Sequence, residues 1–245
     1  MTTIADNLQR IGLRIRVAAT DAGRSPDDVR LLAVSKTFDA NAVRDAFEAG
    51  QRQFGENYVQ EGVEKITLLH DLPLTWHMIG PMQANKTRAV AEHFQWVHSV
   101  DRERIARRLS EQRPAHLPPL QVCIQVNVDG GLSKSGVSPA DAPALARLVA
   151  GLPQLQLRGL MSIPEPSEDP TMQRAVHDQA RALFDDIGRQ LRADGVAGAE
   201  AWDTLSLGMS ADLEPAIAAG STLVRVGTAI FGRRDKPTSP EPTAA

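Results

Sequence analysis

The chain has 245 residues, 42% hydrophobic and 23% charged, the balance of an ordinary globular protein with enough length for one (β/α)8 barrel. A formal net charge of −3 argues against a dedicated nucleic-acid binder, and a single cysteine, Cys123, excludes an intramolecular disulfide and a cysteine-rich zinc site. No apolar run reaches the roughly 20 residues that a membrane-spanning helix needs.

The first segment interleaves Ile4, Leu8, Ile11 and Ile15 with Asp6, Arg10, Arg14 and Arg16. That spacing predicts an amphipathic helix and lacks the continuous apolar core of a signal peptide. The expectation is a structural helix in a cytoplasmic protein, with a transit peptide as the alternative. Short apolar runs then alternate with stretches of helical period. The strands expected are 31–36, 53–56, 75–79, 96–99, 120–127, 155–161, 204–207 and 223–226. Helices are expected over 40–49 and 210–219, stopped by Gly50 and Gly220. Ser138 before Pro139 reads as a helix start, and Asp101 as the cap of a helix running to Glu111. Strict alternation of strand and helix implies a parallel sheet, since parallel neighbours need crossovers. Eight such units with no long insertion predict a single closed α/β barrel over residues 1–234, preferred to an open doubly wound sheet. The tail 235–245, rich in proline, threonine and alanine, has no apolar face and is expected to be disordered.

In such barrels the reactive residues sit at the C-terminal ends of the strands. Alternation along the first strand puts Leu32, Val34 and Lys36 on one face, which aims Lys36 inward at the top of the barrel. A lysine there is either a partly desolvated nucleophile for a carbonyl or a rim lysine in a salt bridge. Asn57, past the second strand, is either a ligand contact or the cap of the next helix. Gly80 implies a close backbone approach after the third strand, where His77 either lines the site or is a paired core histidine. Lys134, in the loop after the fifth strand, is either a second cation over the site or a solvated loop residue. The loops after strands seven and eight are the recurrent phosphate site of these barrels. There Gly227 and Thr228 can present backbone N–H groups, Ser206 can present a hydroxyl, and a helix N-terminus follows, with simple turns as the alternative. An inward lysine together with a phosphate cradle suggests an aldehyde phosphate, of which pyridoxal phosphate is the commonest cofactor.

The motifs AVSKT, RQFGENYVQE, WHMIGPMQANK, SKSG, RGLMSIP, LSLGMSADLEPAI and GSTLVRVGTAIFG follow one another from about residue 4 to Arg233. In this order they are similar to the signatures of the pyridoxal-phosphate homeostasis proteins. The resemblance implies a fold type III barrel, like the N-terminal barrel of bacterial alanine racemase without its C-terminal β domain. It implies pyridoxal 5′-phosphate (PLP) bound covalently as a Schiff base on Lys36. It further implies phosphate contacts from Ser206, Gly227 and Thr228, Asn57 beside the cofactor, and Arg225 facing the pyridine nitrogen. Met209, Ser210 and His77 are carried over as wall residues. The stretch Asp129–Leu132, DGGL, departs from the usual pattern before SKSG and leaves the shape of that loop open.

Two functional classes follow. An arginine facing the pyridine nitrogen leaves that nitrogen unprotonated and the ring a poorer electron sink. Two-base racemisation also needs an acid/base on each face of the cofactor. The one tyrosine, Tyr58, reads as a packing residue, and Cys123 as core. The expectation is therefore a non-enzymatic binder that buffers, stores or delivers PLP, with PLP-accepting apo-enzymes as partners and a monomeric state. The alternative is a PLP-dependent amino-acid racemase.

Overall fold

The computed structural model describes residues 3–131 and 135–232. Lys134 and the tail 235–245 therefore lie outside the described residues. The strands are β1 (Arg30–Val34), β2 (Gln53–Glu56), β3 (Thr75–Met78), β4 (Trp96–Val100), β5 (Leu120–Gln125), β6 (Leu155–Met161), β7 (Thr204–Ser206) and β8 (Leu223–Val226). The helices are α1 (Ile4–Asp21), α2 (Ala40–Glu48), α3 (Val59–Leu68), α4 (Thr87–His93), α5 (Glu103–Gln112), α6 (Ala142–Ala150), α7 (Pro170–Ala193), α8 (Leu213–Ala218) and α9 (Thr228–Phe231).

The eight strands form a closed parallel barrel in chain order, shut by β8 against β1 from Arg30 opposite Leu223 to Ala33 opposite Val226. This is the fold the strand–helix alternation predicts. The outer core fills the space between strands and helices, as the two-layer packing of the fold requires. Helix α1 is additional to the eight units. Its face Leu8, Ile11 and Ile15 is buried, and it is tied to the far end of the chain by Asn7 Nδ2 donating to the Ile230 carbonyl at 2.8 Å and by Arg14 pairing with Glu214 at 2.8 Å.

The barrel interior carries small apolar clusters, Leu32, Val34, Ile79 and Leu223 in one and Trp96, Cys123 and Met161 in another. Between them sit polar side chains that are fully or almost fully buried: His77, His98, Ser206 and Arg225. Gly159 lets β6 close against β7: its φ is +155°, and a Cβ there would stand 1.8 Å from the Thr204 carbonyl oxygen. The register of β5 on β6 shifts one residue earlier, between Val122 and Cys123.

Expected and observed strand ends differ mainly at the C-terminal rim. β1, β3, β5 and β7 stop one or two residues short of the alternation pattern, because the backbone there leaves the ladder to enter the upper loops. Helix starts also differ. The helix expected from Ser210 begins at Leu213, since Gly208 (φ +84°) turns the chain and the Asp212 carboxylate takes the Met209 N–H at 2.7 Å. Ser138 caps a turn that ends at Asp141, and α6 starts only at Ala142. Asp101 pairs with Arg102 at 2.5 Å and does not cap α5.

Candidate functional site

A cavity of about 450 Å³ opens at the C-terminal end of the barrel. Its floor comes from Val34 and Arg225, and its walls from Lys36–Phe38 after β1, Asn57 after β2, Ile79 after β3 and Ile163 after β6. Met209–Ala211 after β7, Gly227 and Thr228 after β8, and Gly232 after α9 complete it. Of the expected site residues, Lys36, Asn57, Met209, Ser210, Arg225, Gly227 and Thr228 are thus brought together in one cavity.

Lys36 is half-buried and sits in a turn two residues beyond Val34, where the ladder ends, not on β1 itself. Asn57 does not cap α3: the cap position is Tyr58, and the Asn57 Oδ1 is buried with no hydrogen-bond partner in the protein. The backbone of Asn57 is held by Gly80, where a Cβ would lie 2.1 Å from the Asn57 carbonyl oxygen. This is the close approach that the glycine implies in the sequence.

Arg225 is fixed from three sides. Its Nη1 donates to the Ser206 carbonyl at 2.6 Å and to the Ser206 Oγ at 2.7 Å, and its Nη2 donates to the Ser162 carbonyl at 2.8 Å. A guanidinium has five N–H donors, so two remain for a ligand. Burial brings the group down to about 10, still well above neutrality, and it stays a cation. At the phosphate-type loops, Gly227 packs closely on β1, where a Cβ would meet the Val34 carbonyl oxygen at 3.1 Å. The first N–H groups of α9 have no acceptor within their own helix. The β7 loop is braced from behind, because Asp212 accepts both the Met209 N–H and the buried His177 Nε2, the latter at 2.9 Å.

Two of the expected site residues do not line the cavity. Ser206 is fully buried inside the barrel, and its hydroxyl lies between Arg225 and His98 Nδ1, the latter at 3.1 Å. It is not part of the cavity lining, because β7 ends at this residue and the chain rises to the rim only after Gly208. His77 is also fully buried below the cavity. It stacks on Trp96 and meets His98 Nε2 through Nδ1 at 2.9 Å. Burial, the charge of Arg225 and the charge of Arg30 pull His98 down to about 3. Burial, His98 and Arg30 hold His77 well below the usual imidazole range, so both rings are neutral. Tyr58, expected to pack, is 58% exposed, and burial pushes the Cys123 thiol up to about 12.

Several neighbours of the site escape the sequence reading. Thr37, Phe38, Ile163, Ala211 and Gly232 line the cavity, and His98 supports Arg225 through Ser206. Under the Lys36 turn lies a buried charge cluster. Lys65 Nζ binds Glu56 Oε1 at 2.8 Å, Glu61 Oε1 at 2.7 Å and the Ser35 carbonyl at 2.7 Å. Of this cluster the sequence shows only the four-residue spacing of Glu61 and Lys65.

The alanine racemase N-terminal domain family matches residues 7–235. A Pyridoxal phosphate homeostasis protein of Pseudomonas aeruginosa is 59% identical, over 96% of this chain and 97% of its own length. The Escherichia coli K12 protein of the same name is 55% identical, over 96% and 98%. Among solved structures, PipY of Synechococcus elongatus PCC7942 with PLP bound superposes with a TM-score of 0.78 at 39% identity, covering 94% of this chain and all of PipY. Alanine racemase of Corynebacterium glutamicum shares the fold alone, at 19% identity and a TM-score of 0.63, and only 61% of that chain is matched. On these likenesses the chain belongs to the family of pyridoxal phosphate homeostasis proteins, built on the alanine racemase N-terminal domain.

Proposed function

We propose that this chain holds PLP in the cavity at the top of the barrel, as a Schiff base on Lys36. We further propose that it serves PLP homeostasis by buffering, storing or delivering the cofactor. The observation that carries the reading is the convergence of Lys36, Arg225 and the Gly227–Thr228 loop on one cavity. The residues present fit the group. Lys36 would supply the amine that holds the aldehyde. Arg225 offers its remaining N–H donors to the ring nitrogen, and Ser210, Gly227 and Thr228 offer donors to the phosphate. Asn57, with its unpartnered amide oxygen, and Met209 line the same cavity and would flank the ring. Ser206 and His77 act behind Arg225 and not on the cofactor. The names of the P. aeruginosa and E. coli relatives and the PLP-bound PipY structure support the same reading.

When bound, PLP supplies an electron sink for carbanion chemistry. The residues here favour holding it over using it. Arg225 keeps its own proton and leaves the ring nitrogen without one. Among the described residues, the cavity lining offers Lys36 as an amine but no histidine, tyrosine or cysteine as a second acid/base. The reading is thus a non-enzymatic, monomeric, cytoplasmic binder that passes PLP to apo-enzymes, with an amino-acid racemase as the alternative. The test is borohydride reduction of the yellow, PLP-loaded protein followed by peptide mapping, run beside an assay of D/L-alanine interconversion. The expected result is a label on Lys36 and no turnover. A label on another residue removes the site assignment, and turnover lost in Lys36→Ala restores the racemase.

A further inference from the structure

We propose that Glu61 and Lys65 are positioning residues for Lys36. They form an ion pair that grips the peptide groups on either side of that lysine and sets the direction in which its amine enters the cavity. The proposal rests on the reading of Lys36 as the amine that bonds the aldehyde.

The peptide before Lys36 carries the Ser35 carbonyl, which accepts from Lys65 Nζ at 2.7 Å. The peptide after Lys36 carries the Thr37 N–H, which donates to Glu61 Oε1. The two side chains are themselves paired at 2.7 Å, one helical turn apart on α3. Peptide groups are planar, so fixing the planes before and after a residue fixes both of its soft torsions and the direction of its Cα–Cβ bond. The ion pair therefore acts on Lys36 without touching its side chain. β2 anchors the device: Glu56 Oε1 accepts from Lys65 at 2.8 Å and from the Ser35 hydroxyl at 2.6 Å.

Two features show that the turn needs such a hold. Thr37 has φ +69°, a left-handed conformation that is a genuine outlier for a β-branched residue and persists only where the surroundings over-determine it. The position of the charges also asks for a reason beyond stability. The Glu56 and Lys65 side chains are 0% and 5% exposed, and a buried ion pair gains little net stability over an apolar packing. What it supplies is geometry at one point of the backbone, and that point is Lys36.

The test compares Glu61→Ala and Lys65→Met with wild type, and includes Glu61→Gln as the rescue that keeps an acceptor for the Thr37 N–H. The stopped-flow rate at which the PLP Schiff-base absorption band forms reads the aim of the amine. Equilibrium binding of pyridoxine 5′-phosphate reads the rest of the cavity, since it has the ring and phosphate but an alcohol in place of the aldehyde. Displacements of this kind cost one to two orders of magnitude in rate, so a loss of about tenfold or more is expected in both variants. Pyridoxine 5′-phosphate affinity should stay within about twofold, and Glu61→Gln should recover most of the rate. A wild-type rate in the variants, or an equal loss of both quantities, overturns the proposal. Should Lys65→Met not fold, Glu61→Ala decides alone, at a side chain 25% exposed on a helix surface. If wild-type protein forms no band, or borohydride labels a different lysine, the reading of Lys36 fails and this proposal with it. That failure is distinguishable because it is seen in the wild type.

Discussion

At the N-terminal end of the barrel, Trp96 lies under two guanidinium groups, with Arg30 5.6 Å and Arg158 4.8 Å from its ring centre. Arg158 is paired with Asp203 at 2.5 Å and donates to Gln121 at 2.7 Å, and Arg30 donates to Thr204 at 2.7 Å. At the C-terminal end the accounts do not close. Thr37 Oγ1, Asn57 Oδ1 and Ser162 Oγ are buried there without a partner in the protein, and Arg225 has donors to spare. Below the cavity, Gln53 Oε1 at the start of β2 and His77 Nε2, on the ring stacked over Trp96, are also buried without a partner in the protein. Buried polar atoms are ordinarily paired, so a cluster of unpaired ones marks where a ligand completes the set. The lower end is a plug whose arginines are paired within the protein, and the upper end, with its unpaired oxygens and the spare donors of Arg225, is a socket.

The largest expected effect would break this division if it failed. Trp96→Ala removes the ring between Arg30, Arg158 and His77, and should cost about 3–5 kcal/mol in urea unfolding. The folded fraction should bind pyridoxine 5′-phosphate as wild type does. A loss of affinity would show that the plug and the socket are one unit. A second effect concerns the neutral histidines between the two ends. His98 is held to about 3 in the folded chain and reverts to the ordinary imidazole range near 6.5 on unfolding. Between those limits the unfolded chain binds the extra proton, so stability is full above about pH 6.5 and falls as the pH drops. The slope from this residue is at most about 1.4 kcal/mol per pH unit. Unfolding curves at pH 7.5 and 5 should diverge accordingly, and His98→Asn should flatten the difference. An unchanged slope in that variant would remove His98 as the source.

Much of this arrangement was legible in the sequence. Alternation along residues 31–36 and the glycines after β8 put Lys36 and the Gly227–Thr228 loop on the same rim, because strand period and barrel topology together decide which ends meet. What stayed hidden depends on contacts between elements. His98 lies in the run WVHSV, where nothing local says that its ring will meet Ser206 across the barrel. Nothing in the sequence around Lys65 says that α3 will pack over β2 and bury it against Glu56. The chain path also separates Ser206 from Ser210. Both follow the same apolar run, but the ladder ends at Ser206 and the left-handed turn at Gly208 lifts only the later serine to the cavity. Gly208 permits that turn, but how far it lifts the chain depends on what the loop packs against.

The smallest expected effect tests that separation directly and sharpens the boundary of the socket. Gly227→Ala adds a methyl group 3.1 Å from the Val34 carbonyl oxygen, so the loop must shift outward by a few tenths of an ångström. Affinity for pyridoxine 5′-phosphate should fall about tenfold, equivalent to about 1.4 kcal/mol, and the melting temperature should change little. Ser206→Ala should do the reverse. It removes one of the two oxygens that Arg225 Nη1 binds and the partner of His98 Nδ1, a loss of about 1–2 kcal/mol in unfolding free energy. Affinity for the same ligand should move by less than about threefold, since the Ser206 carbonyl still holds the guanidinium in place. If Ser206→Ala weakened binding as much as Gly227→Ala, its hydroxyl would belong to the phosphate. The socket would then reach one layer deeper into the barrel than its lining indicates.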